Sequence, residues 1–579
     1  MKLIAILGWL LLLTSFAMSE PSDIRVRIYR QQPVQQLTIM PMNGVVSFKT
    51  CAACQPKTLN HPLTIEAADS LIRGGKKTYS YLSISGSYRL DGSQHPRFTS
   101  MFPLEIRAQQ GHLLTTLCVP LEEYVAAVVA AEAGNFDSDQ ALQAMAVAVR
   151  TFAVHFRGRH KSESFDFCDT THCQDFHLSA VDDRIRAAVE ATDGELLWYQ
   201  GATAATYYHQ NCGGRTADGN DVWPGHKLPY LSEHVDPYCS RKNSGNWQTT
   251  LNKPDLQKAL LDGDLHPPDN WRTIEIQSRT QAGRVLKLRL VGDGSGGERV
   301  SASSFRFAVD RVLGWNQIRS DLYDVRDNGQ QIVFSGRGSG HGVGMCQTGA
   351  VQMGHEGKSY RDILSFYYPG TLLGLTAQGI AWQAQSSERF ELVSTHTRQD
   401  ARLIPLGDRL MREAEAKSGL KFDFHPRLKV YPTLETYRDS TGEPGWVAAS
   451  SRGKTIRMQP AELLQERAVL TKTLRHEFLH QLIESHARVG LPVWFREGLV
   501  LYLADDRKAP SSEMAADQME AMLTHPRDRQ QMELAYEAAH HRIATLVQRD
   551  GKDTVMSWLT RGLPSDIASP IRFSQASQN

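Results

Sequence analysis

The sequence predicts an α+β multidomain protein: a β-rich N-terminal part carrying a helical core, then a mainly helical α+β domain. Three observations lead there. The chain has 579 residues, more than one hydrophobic core can organise, so two or three domains are expected. Hydrophobic periodicity is two over much of residues 22–118 and becomes helical at Leu121. A polar, Gln/Ser-rich stretch at 376–389 then separates off a second α+β unit.

The N-terminus comes first. Met1-Lys2 is a short positive start, Leu3 to Phe16 is apolar, and Ala17-Met18-Ser19 offers the small residues a signal peptidase reads. Residues 1–19 therefore read as a cleaved signal peptide. The alternative, a membrane anchor, needs about 20 apolar residues, and this run is shorter. No cysteine follows it for lipidation, and no other segment is apolar enough to span a bilayer. Export removes ATP and dinucleotides from the expected ligands. The 64 basic residues nearly balance 63 acidic ones, which argues against a nucleic-acid binder. Eight cysteines are too few for a disulfide-built scaffold in a chain this long. Cys51 and Cys54 make either a small loop disulfide or two thiols.

Alternating runs at Ile24–Ile28 and Tyr81–Ser85 predict strands, with turns at Asp91-Gly92 and Gln109-Gln110-Gly111. Leu121, Tyr124, Val125, Val128 and Val129 share one helical face. A second helix, with Ser138 or Asp137 as N-cap, buries Ala141, Leu142, Met145, Val149 and Phe152. Residues 180–335 mix short strands and helices. Beyond the linker, strands at Phe390–Val393 and Leu428–Tyr431 flank a helix over Leu406–Ser418. There is no internal repeat, and the tail from Pro570 is expected to fray.

Chemistry concentrates in a few places. Glu132 ends an apolar helical stretch, so desolvation should raise its pKa and suit it to donate a proton; a helix-end carboxylate with a capping role is the plainer alternative. Glu122 and Glu123 read as surface residues. The alternating glycines of Gly336 to Gly344 allow close backbone approach around His341, and they lack both the P-loop ending and the dinucleotide spacing. That loop is either a ligand-binding wall or a tight structural turn. Cys168, His172 and Cys173, with His160 upstream, have the donors of a tetrahedral zinc site, although a Cys168–Cys173 disulfide competes.

Six stretches in order carry a resemblance. They are Pro120 to Glu132, Ala141 to Phe152, Asp169 to Gln174, Gly213 to Thr216, Gly336 to Met345 and Tyr360 to Thr371. Over about residues 20–375 the chain resembles the SpoIID/LytB family, whose members act on peptidoglycan as lytic transglycosylases or as enhancers of a cell-wall amidase. The resemblance implies a helical SpoIID-like core with Glu132 as the catalytic residue. It implies substrate contacts from His341, Gly338, Gly340 and Arg215, and it favours a structural metal at His160, Cys168, His172 and Cys173. One carboxyl suffices for a transglycosylase, because the sugar's own hydroxyl replaces water as nucleophile, whereas ordinary glycosidases use two.

His476-Glu477-Phe478-Leu479-His480 is a His-Glu-x-x-His motif. On a helix the two histidines project to one side and can grip one Zn²⁺, leaving Glu477 as general base. Val493-Trp494-Phe495-Arg496-Glu497-Gly498 follows. With Tyr431-Pro432-Thr433 and Gly445-Trp446-Val447-Ala448, this resembles gluzincin peptidases of the MA-like group and predicts a zincin-like domain over 390–565, before a tail at 566–579. The resemblance supplies Glu497 as third ligand and Tyr536 as an oxyanion donor. Where thermolysin-type gluzincins place an orienting Asp, this chain has Leu501. The reading is a secreted or periplasmic protein that cleaves glycan strands and carries a zinc-dependent metallopeptidase domain. The alternatives are a non-catalytic glycan-binding amidase enhancer, and a zinc peptidase whose SpoIID-like part binds the wall. The expected partners are peptidoglycan, a cell-wall amidase and a peptide or protein substrate.

Overall fold

The structure is a computed structural model. It describes residues 23–42, 46–51, 53–92, 95–225, 227–241, 245–268, 270–292, 297–505, 514–524 and 529–568. The expected signal peptide and the frayed tail from Pro570 lie outside the described residues. The molecule is α+β and multidomain, with a β-rich N-terminal region. No described helix is long and apolar enough to cross a membrane.

Strands between Ile24 and Cys168 form a seven-stranded and a six-stranded sheet. The strand His112–Val119 pairs antiparallel with both Leu104–Gln109 and Ile24–Ile28, and the Gln110-Gly111 turn uses positive φ at both residues. Phe167–Cys168 joins Ile24–Ile28 in parallel and fixes Cys168 against the sheet. Pro120 ends the long strand and starts the helix Leu121–Ala133, because proline's missing N–H costs nothing in a first turn. That helix is buried almost all round. The second helix runs Asp139–His155, and the Ser138 hydroxyl caps it by accepting from the Ala141 amide.

One expectation needs correction here. Glu122 is not at the surface. It is buried and held bidentately by the wholly buried Arg150, both contacts at 2.7 Å. Glu123 is mostly covered too and pairs with Arg186 and Arg452. Within residues 20–375 there is also a unit with its own core. Trp247, Leu256, Leu288, Phe305, Val309 and Phe334 pack together within strands and helices from Asn246 to Arg337.

The C-terminal domain has a five-stranded sheet in the order Gln383–Ser386, Glu391–Ser394, Arg427–Val430, Thr455–Met458, Ala449–Arg452. The three central strands are parallel and each outer strand runs antiparallel to its neighbour. The expected linker therefore contributes an edge strand, Gln383–Ser386. Its polar composition suits an edge, where only one side of the ladder is paired. Helix Leu470–His486 lies between two cores. Leu474 and Phe478 face the sheet, whereas Leu479, Leu482 and Ile483 face a helical lobe with Trp494, Phe495 and Ile543.

The two parts meet through polar groups. Lys429 is buried between Asp193 at 3.6 Å and the rings of Trp382 and Tyr431. Tyr431 also donates to Asp193, and the Trp382 indole donates to the Asp193 carbonyl at 2.8 Å.

Candidate functional site

Glu132 lies in the last turn of Leu121–Ala133. Its carboxylate accepts from the Asp175 amide at 3.0 Å, and the Gln347 amide donates to its backbone carbonyl at 3.3 Å. No described ion pair involves it. Burial pushes its pKa from 4.5 up to about 7; the Asp175 amide partly opposes this and the Asp175 charge reinforces it. Two tyrosines, the buried Tyr124 and the half-buried Tyr208, lie within its field. Gln174 joins them, accepting from Tyr124 at 3.1 Å and donating to Tyr208 at 3.0 Å. A carboxyl poised near neutrality can both give and take a proton.

The glycine-rich loop approaches protein rather than open space. A side chain on Gly338 would strike the Asn211 carbonyl, and one on Gly340 would press on His209. Both have positive φ. Gly338 and Gly340, expected to contact substrate, thus let the loop lie on the segment 209–213. His341 is half-buried against Trp223, with ring centroids 4.9 Å apart, and its Nδ1 accepts from the Val343 amide at 3.1 Å. Burial and the nearby Arg306 and Arg284 push it down to about 3, so the imidazole is neutral and its other nitrogen can donate. Arg215 pairs with Glu233 at 3.0 Å.

His160, Cys168, His172 and Cys173 converge, with one donor atom from each within 4.8 Å of the rest. The two sulfurs are 3.1 Å apart, well beyond a disulfide bond of about 2.05 Å. His172 Nδ1 is 3.6 Å from each sulfur, and His160 Nε2 is 3.3 Å from Cys173. Zn–S near 2.3 Å and Zn–N near 2.0 Å at tetrahedral angles imply S···N edges of about 3.5 Å. The set fits zinc if the S···S edge opens slightly. Glu163 accepts from His160 Nδ1 at 2.8 Å, which turns Nε2 toward the sulfurs.

In the C-terminal domain, His476, His480 and Glu497 also converge within 4.8 Å. The Glu497 oxygens lie 3.4 Å from His476 Nε2 and 2.9 Å from His480 Nε2. Burial opposes charge on His480, yet Glu497 outweighs it and raises the imidazole to about 9. A cation at their centre would meet the same favourable field, and Glu497 Oε1 is buried without a hydrogen-bond partner, as an open ligand position should be. The Glu477 carboxylate accepts from Ser451 on the edge strand Ala449–Arg452 at 2.7 Å. Tyr536 comes from the helix Arg529–Asp550, its ring 6.3 Å from that of His476.

Sequence reasoning missed two features. Ser451 carries no motif signal. The second is a cluster of Cys212, Asp236, Cys239 and Cys346; its one local trace is the Asp-x-x-Cys spacing.

Residues 109–199 match the SpoIID family model, described as stage II sporulation protein. Over that stretch the chain is similar to the SpoIID family. Residues 239–344 match a second model, described as a domain of unknown function, and these nearly coincide with the unit that has its own core. An uncharacterized protein of Brachyspira hyodysenteriae is 30% identical over 43% of this chain and 65% of its own length. The amidase enhancer of Bacillus subtilis is 26% identical over 40% of this chain and 38% of its own. Stage II sporulation protein D of the same species is 27% identical over 44% of this chain and 74% of its own. The chain thus spans less than two-thirds of the first two relatives.

Proposed function

We propose that this chain is an exported cell-envelope protein that remodels peptidoglycan, and that its SpoIID domain is a lytic transglycosylase. The observation that carries the reading is the Glu132 carboxyl, poised at about 7 without an ionic partner. Protonated Glu132 gives its proton to the glycosidic oxygen as the C1–O bond breaks. The resulting carboxylate takes the proton of the sugar's own hydroxyl as that oxygen closes on C1, so one residue is acid and then base. The neutral His341 would hold a sugar hydroxyl or acetamido group.

The test is product chemistry. Purified glycan strands should yield 1,6-anhydro-muramyl ends with the parent and none with Glu132→Gln. Cleavage by that variant would sink the assignment. The printed name of the Bacillus subtilis relative favours a second reading, amidase enhancement. It predicts no anhydro ends and faster release of stem peptides by an added amidase.

For the C-terminal domain we propose a zinc-dependent peptidase. His476, His480 and Glu497 would hold the ion, which when bound supplies a Lewis acid for a carbonyl and acidifies a water. Glu477 takes the proton and passes it to the leaving amine, with Ser451 fixing its carboxylate. Tyr536 donates a hydrogen bond to the developing oxyanion. The edge strand Ala449–Arg452 offers one unpaired side on which an extended peptide can be aligned. A structural zinc at His160, Cys168, His172 and Cys173 completes the proposal.

A further inference from the structure

Cys212, Cys239, Cys346 and Asp236 are each at most 1% exposed, and one donor atom from each lies within 4.8 Å of the other three. They come from three separate segments. Cys212 follows the strand Tyr208–His209, Cys346 ends the paired strand Met345–Cys346, and Asp236 and Cys239 flank the start of Pro237–Arg241. We propose that these four side chains hold a structural zinc ion, separate from the two sites described above.

Four observations support this. The thiols are odd in number, so any disulfide strands one of them, whereas three thiolates and a carboxylate close a tetrahedral site. Main-chain donors are already aimed at the sulfurs: the Cys212 amide donates to Cys346 at 3.2 Å, and the amides of Gly213 and Gly214 face Cys239. Such N–H···S contacts disperse thiolate charge and orient the ligand.

Asp236 is the third observation. One of its oxygens accepts from the Tyr238 and Cys239 amides at 3.1 and 2.9 Å. The other accepts from Tyr367 at 2.8 Å and lies 3.2 Å from the Cys212 sulfur. A side chain on Gly349 would strike both Tyr367 and Asp236, so glycine there lets these two groups meet. No described Lys or Arg forms an ion pair with this buried carboxylate, and a buried charge needs a counter-charge. Fourth, a network of neutral thiols is incomplete. Cys212 could donate to Asp236 and Cys239 to Asn211 at 3.3 Å, but Cys346 faces the Cys212 and Cys239 sulfurs, and among its described contacts the one oxygen it reaches is the Gln210 carbonyl, at 4.0 Å.

Binding would release three thiol protons to solvent. The buried Arg284, which donates to the Cys212 carbonyl at 2.9 Å, would offset part of the remaining negative charge. The site has no solvent-facing position, so its role is to staple. It would tie the segment 209–213 and the end of the His341 loop to the helical core.

The test uses the full chain, purified without added metal or reductant. Zinc per chain is measured by mass spectrometry in the parent, Cys239→Ser and Asp236→Asn. We expect a loss of one equivalent in the serine variant. A folded serine variant with unchanged zinc would overturn the site. If the variants do not fold, the parent decides. Unreduced peptide mapping should find Cys212, Cys239 and Cys346 without a disulfide. Iodoacetamide should label all three in the native chain only after prolonged dialysis against a strong zinc chelator. A disulfide between any two, or labelling that the chelator does not change, would overturn the proposal.

Discussion

Glu132→Gln should stabilise the protein, and only above a definite pH. The Glu132 carboxyl titrates near 4.5 in an unfolded chain and near 7 in the folded one. Because the folded pKa is the higher, the unfolded chain loses its proton first as pH rises. Folding is therefore disfavoured progressively between about pH 4.5 and 7, and the penalty is constant above that. At 1.36 kcal/mol per pKa unit the penalty is about 1 kcal/mol at pH 5, about 2 at pH 6 and about 3 at pH 8. These are ceilings, because the carboxyl is only partly buried. Glutamine cannot ionise and keeps an oxygen for the Asp175 amide, so the variant escapes the penalty. At 2–4 °C per kcal/mol for a domain of this size, the variant should melt up to about 6–12 °C above the parent at pH 8 and about level with it at pH 4.5. Paired thermal melts from pH 4.5 to 8, followed by tryptophan fluorescence, measure this. A constant offset across that range, or a parent that is the more stable at pH 8, would refute the argument. Glu132 would then be an ordinary carboxylate.

Four other outcomes are expected. Glu477→Gln should keep zinc at the parent's stoichiometry and abolish hydrolysis of casein or a quenched peptide library, while His480→Ala should lose one equivalent of zinc. Arg150→Met leaves the buried Glu122 unpaired and should cost about 3–5 kcal/mol, read as a lower urea midpoint. Ser451→Ala should lower kcat of the proposed peptidase with zinc content unchanged, since the hydroxyl touches Glu477 and no proposed ligand.

Local rules reached much of this molecule. The helix Leu121–Ala133, its neighbour capped by Ser138, and the strands at Ile24–Ile28 and Glu391–Ser394 follow from hydrophobic period and capping chemistry, which act over a few residues. The histidines and cysteines of the two histidine-containing clusters were legible because they lie close in sequence or at helical spacing, whereas Glu497 was supplied only by the resemblance to gluzincins. The rest needed long-range information. Glu122 looks like a surface glutamate in a first turn, and only the fold brings Arg150 onto it. Gln383–Ser386 is polar enough for a linker, and its strand character depends on a neighbour at Glu391–Ser394. The cluster at Cys212 joins residues 134 apart in the chain, which no local pattern announces.

The interface between the domains argues against a loose tether. Lys429 and Asp193 are both nearly inaccessible, at 2% and 4% side-chain exposure, and separating the domains would leave each charge without its partner. Glu123, in the first turn of the helix whose last turn holds Glu132, pairs with Arg452 of the edge strand. Successive strand residues point to opposite faces, so the neighbouring Ser451 reaches the other way, to Glu477. One helix and one strand therefore link the two candidate centres through adjacent residues. A polypeptide that only carried two activities on one chain would not need that contact. Here the strand that is proposed to align a peptide is braced against the helix that is proposed to present the acid for glycan cleavage.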